Sequence, residues 1–481
     1  MSRLIIHQAG PRYRHSHIVL TFFICAWFAQ PSTFLAATTP QGNPRLMQGP
    51  MVGSIREDGM QIWVRLSGPF PAFVEYSPEA DFSHSLNTPS LTAAKSEDYI
   101  LKFALTDLKP ASPIYYRVWV AGRLDPTTGN GAPFVVNTAP VGPARFRVAF
   151  GSCAKLRGQA VDAIWATIPP WNPDLFFWLG DNIYGDALDP DILAEEYRRL
   201  RDASGLARVW GSMGHLATWD DHDFGLNDSD RTHPGKAAAL EVFTRYWANP
   251  RFGLEHTPGV FFQTSYGGVD FFFLDGRTYR DPNDSPDSPE KTFLGAAQMA
   301  WLRNGLRASR APFKVLISGS GWSTAKLSGD SWGACLHERD ALFDFIRDEK
   351  IAGVVLLSGD THSGELNAIP WSERGGYDFY DLVSSPLVQT SRHTWVDRRP
   401  EIRVRQAFDA TPNFGLIEFD LIADRPSLRF QLINQTGKPV WSPFVVYADE
   451  LVNGVESWPA KIDADSRQRL ERERSGRPYY R

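Results

Sequence analysis

Residues 176–186 read FFWLGDNIYGD, and the fold turns on how that stretch is taken. With Leu175 in front, Leu175–Leu179 is an unbroken apolar run. That is the pattern of a strand buried on both faces of its sheet, not of an alternating, half-buried one. The run stops at Gly180, and Asp181, Asn182, Tyr184 and Asp186 follow at once. In an open α/β sheet the ligand crevice lies outside the carboxyl ends of the strands, where these polar groups fall. Asp181 and Tyr184 form a GDxxY pattern, in which one tight turn sets a carboxylate beside a phenol. Carboxylate oxygen suits hard cations, and a phenolate beside it favours a trivalent ion such as iron. Taken alone, the same residues could simply cap the next helix, so the rest of the chain decides.

Beyond Pro140–Pro143 (PVGP), a stiff and breaker-rich join, the pattern repeats. Phe146–Phe150 runs into Gly151-Ser152-Cys153, and His215–Trp219 runs into Asp220-Asp221-His222-Asp223. Val269–Leu274 runs into Asp275-Gly276-Arg277, and Val354–Leu357 into Ser358-Gly359-Asp360-Thr361-His362. A sixth run, Lys314–Ser318, ends in GSGW with less evident chemistry. Helical stretches are predicted between them at Val161–Thr167, Ile192–Arg201, Ala237–Trp247, Ala296–Leu306 and Arg339–Glu349. The last two carry Met299/Leu302/Leu306 and Leu342/Phe345/Ile346 at helical spacing. Alternating strands and helices predict an α/β domain around a buried sheet. From Phe414 to Val446 the pattern returns to strands, with a turn at Thr436-Gly437.

Cys153, Asp181, Tyr184, Asp221, His222, Asn227, Asp360 and His362 all fall just after strands. Each is weak evidence alone. Together they have the size and type for two metal ions sharing one bridging carboxylate, an arrangement that clamps both the attacking and the leaving oxygen of an in-line displacement. Cys153 would bind as a thiolate; its alternatives are a buried thiol or a disulfide to Cys335. His362 can face the same cleft as Asp360, because extended residues two apart share a side. Asp221 and His222 could instead form a loop ion pair. His215 and His256 lack such partners and are expected to be structural. Arg277, Arg280, Lys155 and Arg157 are candidates for holding phosphate oxygens, since a guanidinium matches them bidentately.

The 481 residues are enough for two or more domains, and 43% hydrophobic with 22% charged residues is ordinary globular composition. A net charge of −5 gives no electrostatic case for nucleic acid. Before the join, about Leu46 to Asn137 reads as all-β: Met60–Leu66 (MQIWVRL) and Ile114–Val120 (IYYRVWV) alternate apolar and polar residues. Phe103–Ser112 and the tyrosine-bearing strand after it resemble the end of a fibronectin type III-like β-sandwich. The N-terminus is basic at Arg3, Arg12 and Arg14, apolar from Ile18 to Phe28, then rich in small residues at Leu35-Ala36-Ala37. That order predicts a secretory signal peptide over residues 1–37, the alternative being an uncleaved anchor. Tyr13 separates Arg12 from Arg14, so there is no twin-arginine pair. The expected organisation is therefore a signal peptide, a fibronectin-like domain over 45–140, an α/β domain over 144–447 and a charged, solvated tail over 448–481. The protein is expected to be exported, periplasmic or extracellular, with no transmembrane segment in the mature chain.

The ordered set GSC, GDNIY, WDDHDFGLND, FFLDGRTYRD and LLSGDTHSGE closely resembles the PhoD-like alkaline phosphatases of the calcineurin-like metallophosphoesterases, and GDxxY is similar to the element of purple acid phosphatases. The resemblance runs from about Ala144 to Val446. It places the family's cysteine ligand on Cys153, its shared aspartate on Asp181, its iron-ligating tyrosine on Tyr184 and its last ligand pair on Asp360 and His362. The family's DDHE-x-NN segment falls on Asp220–Asp228, where either Asp221 or Asn227 supplies a ligand. Implied are a four-layer αββα fold and a centre of ferric iron and calcium. The implied reaction is cleavage of phosphomonoesters or diesters by attack of a metal-bound hydroxide, with His222 as general acid or transition-state stabiliser. Two departures are the missing twin-arginine signal and the short Asp181–His222 interval, which points to a reshaped pocket. The substrate expected is a small-molecule or lipid phosphoester. A phospholipase D-like diesterase and a non-enzymatic extracellular binding protein with a degenerate site are the alternatives; the full donor set argues against degeneracy.

Overall fold

The computed structural model describes residues 42–475 apart from 131, 157–162, 324–328 and 390–401; the expected signal peptide and Arg157 lie outside the described residues. Leu175–Leu179 is a fully buried strand at the middle of a nine-stranded sheet. It pairs in parallel with Arg145–Gly151 on one side and Gly214–Thr218 on the other. Its side chains divide by parity, as those of a strand must. Phe176 and Trp178 point to a layer of helices, Pro190–Arg201, Leu206–Ser212 and Lys236–Tyr246, where Trp178 stacks on Trp210 at 4.8 Å between ring centroids. Phe177 points the other way, edge-on to Phe271 and Phe273 of a second sheet, at 5.0 Å from each.

That second sheet has seven strands, in the order Phe262–Tyr266, Val269–Phe273, Lys314–Ile317, Val354–Ser358, Phe379–Val383, Gly364–Ile369, Ile402–Phe408. Phe272 leaves its far face to meet Trp301 of the helix Ala296–Ala308. The layers are thus helix, sheet, sheet, helix, as expected. Truncating Phe177 between the sheets would cost about 3–5 kcal/mol, a large share of the roughly 5–15 kcal/mol that holds a domain folded. The strand that carries Gly180 and Asp181 is therefore fixed from both faces.

The N-terminal segment departs from expectation. Its strands are divided between two sheets, one of them shared with the α/β region. Leu46–Gly53 pairs in parallel with Gly214–Thr218, so Leu46–Gly53, Met60–Leu66 and Ile100–Leu105 extend the nine-stranded sheet. The remaining N-terminal strands form a separate six-stranded sheet around Pro71–Ser77 and Pro113–Val120. A break at residue 140 therefore marks a change of sequence texture but not of sheet. Local alternation could not show this, because an edge strand's partner is set by what packs beside it.

The C-terminus is also more ordered than a solvated tail. Trp458–Lys461 and Ala464–Arg474 are helical, Trp458, Ile462 and Leu470 are buried, and Asp378 accepts from the backbone N–H groups of Ser457 and Trp458.

Candidate metal centre

The strand ends converge because glycines let them. A Cβ on Gly180 would lie 2.6 Å from Cβ of Asp220, and one on Gly319 would lie 2.7 Å from the Trp219 carbonyl oxygen, so neither position admits a side chain. The loops are then sewn together across both sheets. Ala154 N–H donates to the Asp181 carbonyl at 2.9 Å, Gly359 N–H to Gly319 at 3.0 Å, and Asp360 N–H to the Ser152 hydroxyl at 3.2 Å. Cys153, Asp181, Asp360 and His362 all hold left-handed backbone, with φ of 58°, 51°, 65° and 51°. Each such non-glycine conformation costs on the order of 1–3 kcal/mol and persists only where surroundings over-determine it, as at functional sites.

Two donor groups meet at Asp181. Cys153, Asp181 and His362 bring ligand-type atoms within 4.8 Å of one another, and so do Asp181, Asp221 and His222. Asp181 Oδ2 lies 3.4 Å from the Cys153 sulfur and 3.1 Å from the Tyr184 hydroxyl, while the buried Oδ1 has no hydrogen-bond partner. The Tyr184 oxygen is 3.5 Å from His362 Nε2. Asp220, Asp330 and Asp360 form a further acidic group alongside.

Electrostatics make this arrangement costly without cations. Burial, and then the charges of Cys153 and Asp221, push the Asp181 carboxyl well above its ordinary range. Burial likewise holds the proton on the Cys153 thiol and, with Asp181, on the Tyr184 phenol. A cation reverses this logic by stabilising thiolate, phenolate and carboxylate together. An orphaned buried oxygen, mixed S, O and N donors and a surplus of carboxylates all fit a metal centre.

His222 sits at the mouth. Its Nδ1 is 2.5 Å from Asp186 Oδ1, and its ring lies 4.1 Å from that of Tyr184. Burial opposes charging the ring, but Asp186 and Asp221 outweigh it and raise the histidine's pKa.

Among the candidate phosphate holders, Arg277 needs correction. It is fully buried and committed to a bidentate pair with Asp330 and to Asp220 Oδ1 at 2.5 Å, with Asp221 at 3.8 Å. Its guanidinium braces the acidic loops and is not open to a phosphate. Arg280 is also buried, 3.0 Å from Asp330. Lys155 differs: its Nζ lies 4.3 Å over the Tyr184 ring, with no carboxylate partner among the described residues. Asn227 is exposed in the turn after the Asp221–Phe224 helix, whereas Asp221 is buried with Asp181. Both Cys153 and Cys335 are free thiols, so the disulfide alternative is not realised. His215 is buried between Trp178 Nε1 and the Val209 carbonyl, a structural role as expected.

Sequence reasoning gave no role to three residues of the site. Asp186 lay inside the opening stretch, but only the fold turns it to His222. Asp330 follows no strand and carried no signal. The Gln389 amide, 3.0 Å from the Tyr184 oxygen and 2.6 Å from His362 Nε2, does not titrate and so escapes a search for titratable clusters.

A two-sheet α/β sandwich with donors gathered at its strand ends is the metallophosphoesterase fold, and the comparisons agree. The PhoD-like phosphatase profile matches residues 148–420, and that of the PhoD-like phosphatase N-terminal domain matches 31–132. The chain belongs to the PhoD-like phosphatase family. Alkaline phosphatase D of Bacillus subtilis (strain 168) is 27% identical over a 307-residue alignment that covers 53% of this chain and 52% of that protein, so the match spans about half of the relative's length. The solved structure of PhoD superposes with a TM-score of 0.71 at 17% identity, covering 89% of this chain and 96% of that one. A purple acid phosphatase from yellow lupin (Lupinus luteus) seeds gives 0.57 at 13% identity, covering 84% and 74%. At such identities the two structures speak for the fold alone.

Proposed function

We propose that this protein is an exported, metal-dependent phosphatase that hydrolyses small phosphoesters at a binuclear centre bridged by Asp181. The observation that carries the reading is that Asp181 belongs to both donor groups and keeps one buried oxygen without a partner. Cys153, Tyr184 and His362 would hold one ion and Asp221 the other, with Asp360 beside them; iron and calcium are the ions proposed. Cations held there lend positive charge to a phosphoryl group and acidify the water that attacks it.

The chain's own side chains supply the rest. With Nδ1 engaged by Asp186, Nε2 of His222 is left to give a proton to the leaving oxygen, or to stabilise charge there. Lys155 is free to pair with a phosphoryl oxygen. Lys155→Ala should raise KM about 10-fold or more while changing kcat little, the signature of lost uniform binding by a charged hydrogen bond. An unchanged KM would remove Lys155 from the site.

Beside Tyr184 and Lys155 lies a cavity of about 200 Å³, also lined by Leu156, Ile183, Arg199 and Leu200. Its position beside Tyr184 and Lys155 would let it receive part of a leaving group. Rates on a monoester, a diester and a phospholipid, each with and without chelator, test the reading. Phospholipid cleavage above the other two would favour the lipase alternative, and no cleavage would favour a binding protein.

If iron is bound through the Tyr184 phenolate, the purified protein should show a visible charge-transfer band that Tyr184→Phe abolishes. A spectrum unchanged by that substitution would mean the phenol does not touch iron. Export is proposed from the character of residues 1–37. Among the described residues no helix is long and apolar enough to cross a membrane.

A further inference from the structure

The Asp181 loop and the Asp221 loop leave two neighbouring strands, and nothing in the strand pairing fixes the distance between them beyond Thr218. Besides a long backbone bond from Gly185 N–H to the His222 carbonyl at 3.4 Å, buried side chains span the gap, Asp223 chief among them. Asp223 Oδ2 accepts from the Asn182 backbone N–H at 3.1 Å and its side-chain amide at 3.3 Å, and from the Asp220 N–H at 3.3 Å. Asp223 Oδ1 accepts from the Tyr197 hydroxyl at 2.8 Å. The Asn182 amide also donates to the Thr218 carbonyl at 2.9 Å. The two residues that Asp223 Oδ2 grips are each next in sequence to a proposed ligand, Asn182 to Asp181 and Asp220 to Asp221.

Tyr197 is itself buried and tightly packed. It stacks on Tyr246 at 5.0 Å between centroids, and both rings border the buried guanidinium of Arg201, which also contacts Trp63, Trp210 and Trp247. No carboxylate is paired with Arg201 among the described residues, so aromatic faces and the carbonyl oxygens of Tyr197 and Tyr246 hold it. The clasp is therefore anchored in the helical layer, outside the crevice.

We infer that Asp223 is a positioning residue. It sets the spacing between the Asp181 and Asp221 carboxylates, and so the affinity of the centre for its metal ions, without touching metal or substrate. The inference rests on the proposed metal centre. An amide mimics this carboxylate only in part: its NH₂ meets the Tyr197 hydroxyl by reversing that hydrogen bond, and its neutral oxygen is a weaker acceptor for the three N–H donors on the other side.

The test compares Asp223→Asn with Asp378→Asn, a carboxylate that caps Ser457 and Trp458 far from the crevice. Metal affinity is measured by chelator competition, and melting temperature with and without metal. Asp223→Asn should weaken metal binding by about 10–100-fold, as loss of a partner behind a metal ligand does, and shrink the rise in Tm that metal produces. Asp378→Asn should lower Tm with and without metal alike and leave the affinity unchanged. Should Asp223→Asn fail to fold, Tyr197→Phe, which removes one donor only, should show the same loss in smaller degree. Wild-type affinity in a folded Asp223 or Tyr197 variant overturns the clasp and leaves the metal centre standing. A wild-type protein that binds no metal overturns the centre itself.

Discussion

Asp181→Asn is expected to strip the centre of most of its metal and to cut turnover by about 10³-fold or more. The reason lies in what one carboxylate is asked to do. In the proposed centre Asp181 serves both ions, so its single charge offsets part of each. An amide keeps the shape but removes that charge, and both ions weaken together. Local repair is hindered: Gly180 lies too close to Asp220 to admit a side chain, the strand behind it is packed on both faces, and Asp181 already holds left-handed backbone. The substitution should spare folding, since Asp181 without a cation is held well above its ordinary carboxyl range by burial and its neighbours, and the amide relieves that repulsion. Elemental analysis beside the rate reads the result. A variant that keeps its metal and a near-normal rate would require another carboxylate as the bridge.

His222→Ala should behave differently, keeping its metal while losing about 10²–10⁴-fold in turnover, the range of a positioned general acid. Cys153, Asp181, Tyr184 and His362 on one side and Asp181 with Asp221 on the other remain in place without it. The size of the loss should also depend on the substrate. A nitrophenolate leaves without a proton and an alkoxide does not, so the variant should be most impaired on alkyl phosphates. Equal impairment on both would assign His222 to charge stabilisation in place of proton transfer. Metal lost together with rate would make His222 a ligand.

How much of this was readable beforehand divides along physical lines. The apolar run at Leu175–Leu179 is a strand with the bounds its sequence implies, and the helix Ala296–Ala308 begins where its periodicity does. Both are local signals, strengthened by burial on every side. The grouping of Cys153, Asp181, Asp221, His222 and His362 was legible, though not Asn227's place outside it, because strand ends in an α/β sheet open on one crevice. Arg277 was misjudged for the complementary reason. A guanidinium after a strand looks free in sequence, and only the fold brings in Asp330 from a loop with no pattern of its own. The fusion of Leu46–Gly53 to the nine-stranded sheet was equally hidden, since alternation reports a strand's two faces and says nothing of its edges. Asp223 stood inside a recognised segment, yet its role depends on Tyr197 and Asn182, which no spacing links.

The central claim is that metal ions held around Asp181 make this chain a phosphatase, and metal removal and return on the isolated protein tests it most directly. Purified protein should carry about two ions per chain, in keeping with a shared-carboxylate centre, and hydrolyse p-nitrophenyl phosphate or its bis-ester. Chelation should abolish hydrolysis, and restoring iron and calcium should bring it back. Hydrolysis that persists in metal-free protein, or a protein that takes up no metal at all, would contradict the account.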